Sequence, residues 1–423
     1  VFFASELGSL FVGLESILIL VVLAAGFYLA FNIGANDVAN TMGTSVGSRA
    51  LTIKKAIIIA AICEFLGALL IGDEVSKTIK QGFVSPEIFA NDPIGFAYGM
   101  TAAILATSFW LQFCTFRGLP VSTTHSIVGA VLGFAIMQGG GPDINYFQLI
   151  AIFSSWIISP VMGAAVSYCS LIFILRFIID THKPYENARR LVPLIIGITV
   201  TMLSAAFTSK LAAKFTSHGK LWGILAALIF GCMAAAVFRR ILPPLDQEVP
   251  SRSTILRKIE AIFARMQLVT ACFLAFAHGS NDVANAIGPA AAVFSALSSH
   301  TVGDETEVPF WLLLMGGIGI VLGLMLMGRK VIQTVGNNIT KITPTRGFAA
   351  EFAAALTILI GTIFGMPLST THVLVGAVIG VGLARGIGGI DASVIRRIGR
   401  SWVITMPATA LLSIAFCLIL RLF

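Results

Sequence analysis

The residues best equipped for chemistry lie in two copies of one pentapeptide, Asn36-Asp37-Val38-Ala39-Asn40 and Asn281-Asp282-Val283-Ala284-Asn285. Each follows a long apolar run, ending Phe31-Asn32-Ile33-Gly34-Ala35 in the first case and Phe276-Ala277-His278-Gly279-Ser280 in the second. An ionisable residue inside a membrane-length run is expensive there and marks a functional site by default. A second pair of motifs is Gly118-Leu119-Pro120-Val121-Ser122-Thr123-Thr124-His125 and Gly365-Met366-Pro367-Leu368-Ser369-Thr370-Thr371-His372. Proline suits the first turn of a helix, so the Ser-Thr-Thr triplets fall beside helix N-termini. Free amides, hydroxyl donors and the positive end of the helix dipole together make an anion site. Two such ends converging would suit a tetrahedral oxyanion.

Asp37 and Asp282 would repel that anion, and no Lys or Arg lies within eight residues of either motif. Mobile cations are therefore expected to balance the charge. Hard cations take oxygen ligands, which Asp and Asn side chains supply, so the pattern points to symport. Glu64 and Glu351 also lie within apolar segments, on different elements of the two halves. Each fits a cation ligand, a proton site or a partner for Ser and Thr hydroxyls. His125 and His372 read first as structural, as do Trp156 and Trp402. Gly129/Gly133 and Gly376/Gly380 read as close-packing contacts.

The elements that must position these groups follow from composition. The chain has 423 residues, 57% hydrophobic and 11% charged, with mean hydropathy +0.93, against roughly 25% charged in a soluble domain. Apolar segments run from 7–31 to 398–420, about twelve in all, many of them near the ~20 residues a helix needs to cross a bilayer. No alternating barrel pattern is present. The fold class is therefore an all-α polytopic membrane protein. The gaps hold no room for a soluble domain, and 239–261 reads as a basic linker.

The pentapeptides repeat at an offset of 245 and the octapeptides at 247, and Ser155-Trp156-Ile157-Ile158 matches Ser401-Trp402-Val403-Ile404. This duplication divides the chain into a first repeat (1–178), two linking spans with the basic linker (179–261) and a second repeat (262–423). Arg49, Lys54 and Lys55 follow the first pentapeptide, whereas Asp304, Glu305 and Glu307 follow the second. The same element thus exits on opposite sides, which makes the repeat inverted and places both termini outside. Lys210, Lys214 and Lys220 fall on the wrong side for this assignment. Inverted repeats with helices broken at the midplane are a transporter design. Breaks or helical hairpins are expected at Ile33–Asp37, at Gly118–Pro120 and at their copies. The six cysteines lack paired spacing and read as small core residues. The pI near 9.3 reflects membrane orientation, not nucleic-acid binding. No positive stretch precedes Arg49, so no signal peptide is expected.

These four motifs, in order over nearly the whole chain, closely resemble the inorganic phosphate transporter (PiT) family. The resemblance implies phosphate uptake coupled to sodium, or to protons in some branches. It also implies twelve spans, both termini outside, a multi-pass protein of the plasma membrane and a homodimer. No enzymatic activity is expected, and no cofactor beyond sodium as coupling ion. By motif match, Ser122, Thr123, Thr124, Ser369, Thr370 and Thr371, with Asn36 and Asn281, would hold phosphate. Asp37, Asn40, Asp282, Asn285, Glu64 and Glu351 would hold sodium. The large central loop of longer members is short here. Competing readings are a permease for sulfate or another oxyanion, a channel, and a membrane hydrolase. Ser122 and His125, three apart on one helix, are poorly arranged for the hydrolase.

Overall fold

Thirteen α-helices account for most of the described residues. The computed structural model describes residues 14–81, 89, 92–117, 121–138, 145–213, 215–242, 251–299, 302, 307–336, 342–385 and 392–422. The helices of the first half are α1 (Leu14–Gly47), α2 (Ile53–Ile71), α3 (Asp73–Gln81), α4 (Pro93–Phe116), α5 (Thr123–Gln138) and α6 (Tyr146–Ile174). Next come α7 (Pro184–Ala213) and α8 (Gly219–Ile241), which pack together as a hairpin. The second half holds α9 (Arg252–Ser299), α10 (Phe310–Gly336), α11 (Pro344–Ile363), α12 (Thr370–Leu383) and α13 (Ala392–Leu420). Among the described residues nine helices are long and apolar enough to cross a membrane, or ten if α2 and α3, bent by 64°, form one span. Two more, α5 and α12, have only 16 and 14 residues. At 1.5 Å per residue they reach about 24 and 21 Å, short of a ~30 Å hydrocarbon core. They begin within the protein, where the site needs them.

One expected break is absent. The pentapeptides do not interrupt their helices: α1 runs unbroken through Asp37, and α9 through Asp282. Asn32 places its amide on the Tyr28 carbonyl one turn back (2.9 Å), and Asn36 reaches Thr115 on α4 (2.5 Å). Neither carboxamide needs unwound backbone for a partner. Gly34 serves contact instead of flexibility. A Cβ there would collide with the Ile320 carbonyl on α10, and one on Gly323 would collide with the Phe31 carbonyl. The linker is also shorter than expected, since α9 has begun by Arg252.

The other break forms. In the second half α11 ends at Ile363, the chain turns through Gly365 at φ +64°, and α12 starts at Thr370. Gly365 suits that left-handed turn because it has no Cβ to clash. In the first half α4 ends at Phe116 and α5 starts at Thr123. Residues 118–120, including Pro120, lie outside the described residues, as do Lys214, Asp304, Glu305 and the Trp402 side chain.

The halves interleave. Helix α13 packs on α4 and α5, while α6 packs on α11 and α12; α10 lies along α1 and α2, and α9 along α2. Added Cβ atoms at Gly376 and Gly380 would meet the Pro160 and Ala164 carbonyls, and those at Gly129 and Gly133 would meet Met406 and Ala410. These small residues let backbones touch where lipid provides no hydrophobic drive. None of the six cysteines forms a disulfide. Lys210 pairs with Asp73 and with Glu74 (3.0 Å), so it is not an uncompensated positive charge on its side.

Gly34→Leu should lower stability by about 1–3 kcal/mol through overpacking against α10. Thermal unfolding of the purified protein in detergent, followed by tryptophan fluorescence, measures it. An unchanged melting temperature would mean that α1 and α10 do not approach this closely.

Candidate functional site

Because α1 and α9 stay helical, they hold Asp37 and Asp282 rigidly, and the interleaved packing brings the two together. One oxygen of each carboxylate and one ring nitrogen of His278 all lie within 4.8 Å of one another, and all three side chains are buried. Each aspartate accepts a hydroxyl from the helix start of its own half. Thr123 Oγ1 donates to Asp37 Oδ2 at 2.8 Å, and Thr370 Oγ1 donates to Asp282 Oδ2 at 2.9 Å. Each asparagine that closes a pentapeptide reaches into the other half. Asn40 donates to Thr371 Oγ1 (2.9 Å) and to Asp37 Oδ1 (3.0 Å), and Asn285 donates to Thr124 Oγ1 (3.3 Å). The duplicated motifs therefore make one centre.

The helix starts converge on it. Ser122 Oγ accepts the His125 N–H (3.2 Å), and Ser369 Oγ accepts the His372 N–H (3.3 Å). Both serines thus act as N-caps, and the threonines face the centre. Thr124 also donates to the Leu368 carbonyl in the turn before α12 (2.8 Å). His125 stacks on Trp156 at 3.7 Å and meets His372 edge-on at 4.3 Å, while Trp156 Nε1 donates to the Pro367 carbonyl. These rings seat one helix start against the other. Asn36 and Asn281 sit beside the aspartates but brace the preceding helices. Asn36 donates to Thr115, and Asn281 to Thr362 (3.1 Å) and the Met366 carbonyl (3.2 Å).

The two glutamates separate. Glu64 joins the centre through a residue without an assigned role in the sequence reading: His278 lies 3.3 Å from Glu64 Oε1 through Nδ1 and 2.9 Å from Asp282 Oδ2 through Nε2. Thr41 donates to the same Glu64 oxygen (3.1 Å). The available signal was the His-to-Asp spacing of four, which puts both side chains on one helix face, together with Ile33 at the matching place in the first copy. Glu351 lies in a neighbouring cluster. Its Oε1 accepts from Thr44 (2.6 Å), Ser45 (2.7 Å) and Gln267 (2.9 Å), and its Oε2 from Thr270 (2.9 Å). Thr44 is seven residues beyond Asp37, about 10 Å along α1.

Oxygen acceptors are in surplus. Asp282 Oδ1, Asn281 Oδ1, Asn285 Oδ1 and Glu64 Oε2 are buried without a hydrogen-bond partner. Among the described residues no Lys or Arg pairs with either aspartate. Buried acceptors without donors are costly, and a hard cation is the partner such a set fits. The donors at the helix starts suit an anion. The centre can therefore hold both charges side by side.

The chain is similar to known proteins over nearly its whole length. Residues 33–413 match the Phosphate transporter family. A chain of Chlamydia pneumoniae named as a phosphate permease is 44% identical over 96% of this chain and 98% of its own. Inorganic phosphate transporter 2-1, chloroplastic, of Arabidopsis thaliana is 41% identical over 92% of this chain and 70% of its own. A solved structure described as the sodium-dependent phosphate transporter superposes with a TM-score of 0.88 at 39% identity, covering 96% of this chain and all of that one.

His278→Leu should leave Glu64 and Asp282 facing a gap, at about 3 kcal/mol or more of lost stability. Glu64→Gln in the same chain should recover part of it. Thermal melts of the single and double variants give the coupling; strictly additive effects would mean that His278 does not bridge the two carboxylates.

Proposed function

The chain belongs to the phosphate transporter family, and we propose that it is a symporter that imports inorganic phosphate with sodium ions. The observation that carries this reading is the meeting of Asp37 and Asp282 with both Ser-Thr-Thr helix starts. The donors there are already engaged: Thr123 and Thr370 point their hydroxyls at the aspartates. Sodium on the aspartates and the unpartnered oxygens of Asn281 and Asn285 replaces those neutral hydroxyls as the aspartates' partner. The freed hydroxyls then donate to phosphate, alongside the amides at the starts of α5 and α12. Each ion thereby builds the other's site, and the coupling is reciprocal by linkage. A carboxylate beside the anion also accepts a hydrogen bond from a protonated phosphate oxygen, which sulfate lacks at neutral pH.

In the same proposal the protein is a homodimer of the plasma membrane, with the faces bearing Arg49, Arg239 and Arg252 inside and both ends of the chain outside. The positive-inside rule supports that orientation, and the family resemblance supports the dimer. One observation favours a second reading. His278, in contact with Glu64 and Asp282, supplies groups that carry protons, which fits protons as coupling ions.

Uptake of labelled phosphate into proteoliposomes, with sodium and pH gradients imposed separately, distinguishes the two. Sodium alone should drive accumulation; uptake driven by the pH gradient alone would favour protons. Asp37→Asn and Asp282→Asn should each reduce sodium-driven uptake at least a hundredfold while still inserting, and normal uptake by either would remove the site. Sulfate at equal concentration should not compete.

A further inference from the structure

The duplication allows the surroundings of the centre to be compared position by position on its two sides. On the side where α1 ends, Thr44, Ser45, Ser48, Gln267, Thr270 and Glu351 form one buried polar network. Four donors converge on Glu351, and Ser48 donates to Gln267 Oε1 at 2.7 Å. At the same offsets the other half places Pro289, Ala290, Val293, Val22, Ala25 and Ile104. All six are buried, and all but Pro289 lie in one hydrophobic cluster, with Ala290 packed close beside Gly26 on α1. The centre is thus closed by polar groups on one side and by hydrocarbon on the other.

We propose that the Glu351 network is the gate through which the bound site first takes up water and releases phosphate, and that Glu351 is a positioning residue of that gate. This inference rests on the symport reading. Parting the polar face exchanges protein hydrogen bonds for bonds to water, a near-balanced trade. Parting the apolar face exposes hydrocarbon with nothing in return. The easier opening therefore lies on the Glu351 side. The groups of the gate come from three helices: Thr44 and Ser45 from the last turn of α1, Gln267 and Thr270 from 15 to 18 residues past the start of α9, and Glu351 from seven residues into α11. The basic residues Arg49, Arg265 and Arg346 lie within five residues of Ser48, Gln267 and Glu351 in sequence, so an anion leaving by this route moves toward positive charge.

The gate is also anchored to react as a unit. Arg49 ends α1 in the left-handed region (φ 63°), and the Leu51 N–H returns to the Ser45 carbonyl at 3.0 Å. Non-glycine residues rarely hold that conformation, and this turn fixes the Ser45 and Ser48 hydroxyls against Gln267 and Glu351. Among the described residues that network has no Lys or Arg ion pair, so its closure depends on neutral donors that water can replace.

Hydrogen–deuterium exchange of the full chain in lipid nanodiscs, with and without sodium plus inorganic phosphate, tests the asymmetry. Amides at 41–50, 265–272 and 347–353 should exchange about tenfold faster than those at 22–28, 101–107 and 287–295, and sodium with phosphate should slow the first set alone. Equal exchange on both sides, or faster exchange at the apolar set, would overturn the proposal. Glu351→Gln provides the functional arm. Phosphate binding in sodium should stay within about threefold of the unsubstituted protein while proteoliposome uptake falls about tenfold. Normal uptake, or a tenfold loss of sodium-dependent phosphate binding, would overturn it, the latter by making Glu351 an ion ligand. Thr270→Val, which removes one donor to the same carboxylate, should show the same split in weaker form if Glu351→Gln fails to insert. Failure of the symport reading would show separately, as no sodium-driven uptake by the unsubstituted chain.

Discussion

Two buried carboxylates with no lysine or arginine paired to them among the described residues are the constraint on which the rest of the structure depends. With oxygens no more than 4.8 Å apart, ionised Asp37 and Asp282 repel each other by about 3.5 kcal/mol at an effective dielectric near 20. A protein that held them together for stability alone would surround them with arginine. This one gives them two threonine hydroxyls, one asparagine amide and one histidine, and leaves several neighbouring oxygens without partners. The arrangement is incomplete without mobile charge, and that incompleteness is what a carrier needs.

The packing explains how such a centre is held. Continuous helices α1 and α9 fix the aspartates, while the short helices α5 and α12 start inside the protein and point their N-termini at them. Exchange of α6 and α13 between the halves, with glycine contacts at Gly376, Gly380, Gly129 and Gly133, keeps the two helix starts together. Symmetry accounts for the Asp–Thr and Asn–Thr bonds, which occur twice. It fails at Glu64, His278 and Glu351, which have no polar counterparts at the matching positions. These three residues make the surroundings of the centre differ chemically from one half to the other.

Much of this was legible in the sequence, for identifiable reasons. Duplication of long motifs gave the matching of halves, and charge scarcity gave the membrane. Proline and glycine marked the break before Thr370 correctly, because they act on backbone geometry directly. The same reasoning misplaced a break at Gly34, where the glycine answers a neighbour, Ile320, that no local pattern shows. His278 went without a role because its partner Glu64 is distant in sequence. Glu351 was read as a cation ligand, and its four hydrogen-bond donors lie on helices distant from it in sequence. Partners across helices decide such cases, and a single sequence does not show them.

The claim that cation and anion complete each other's site is tested most directly by binding alone. Phosphate affinity of the purified protein should be measured by calorimetry in sodium and in choline at matched ionic strength. The account predicts an affinity at least about tenfold higher in sodium, corresponding to a coupling of about 1.4 kcal/mol or more, and loss of that difference in Asp282→Asn. Equal affinities in the two salts would contradict it.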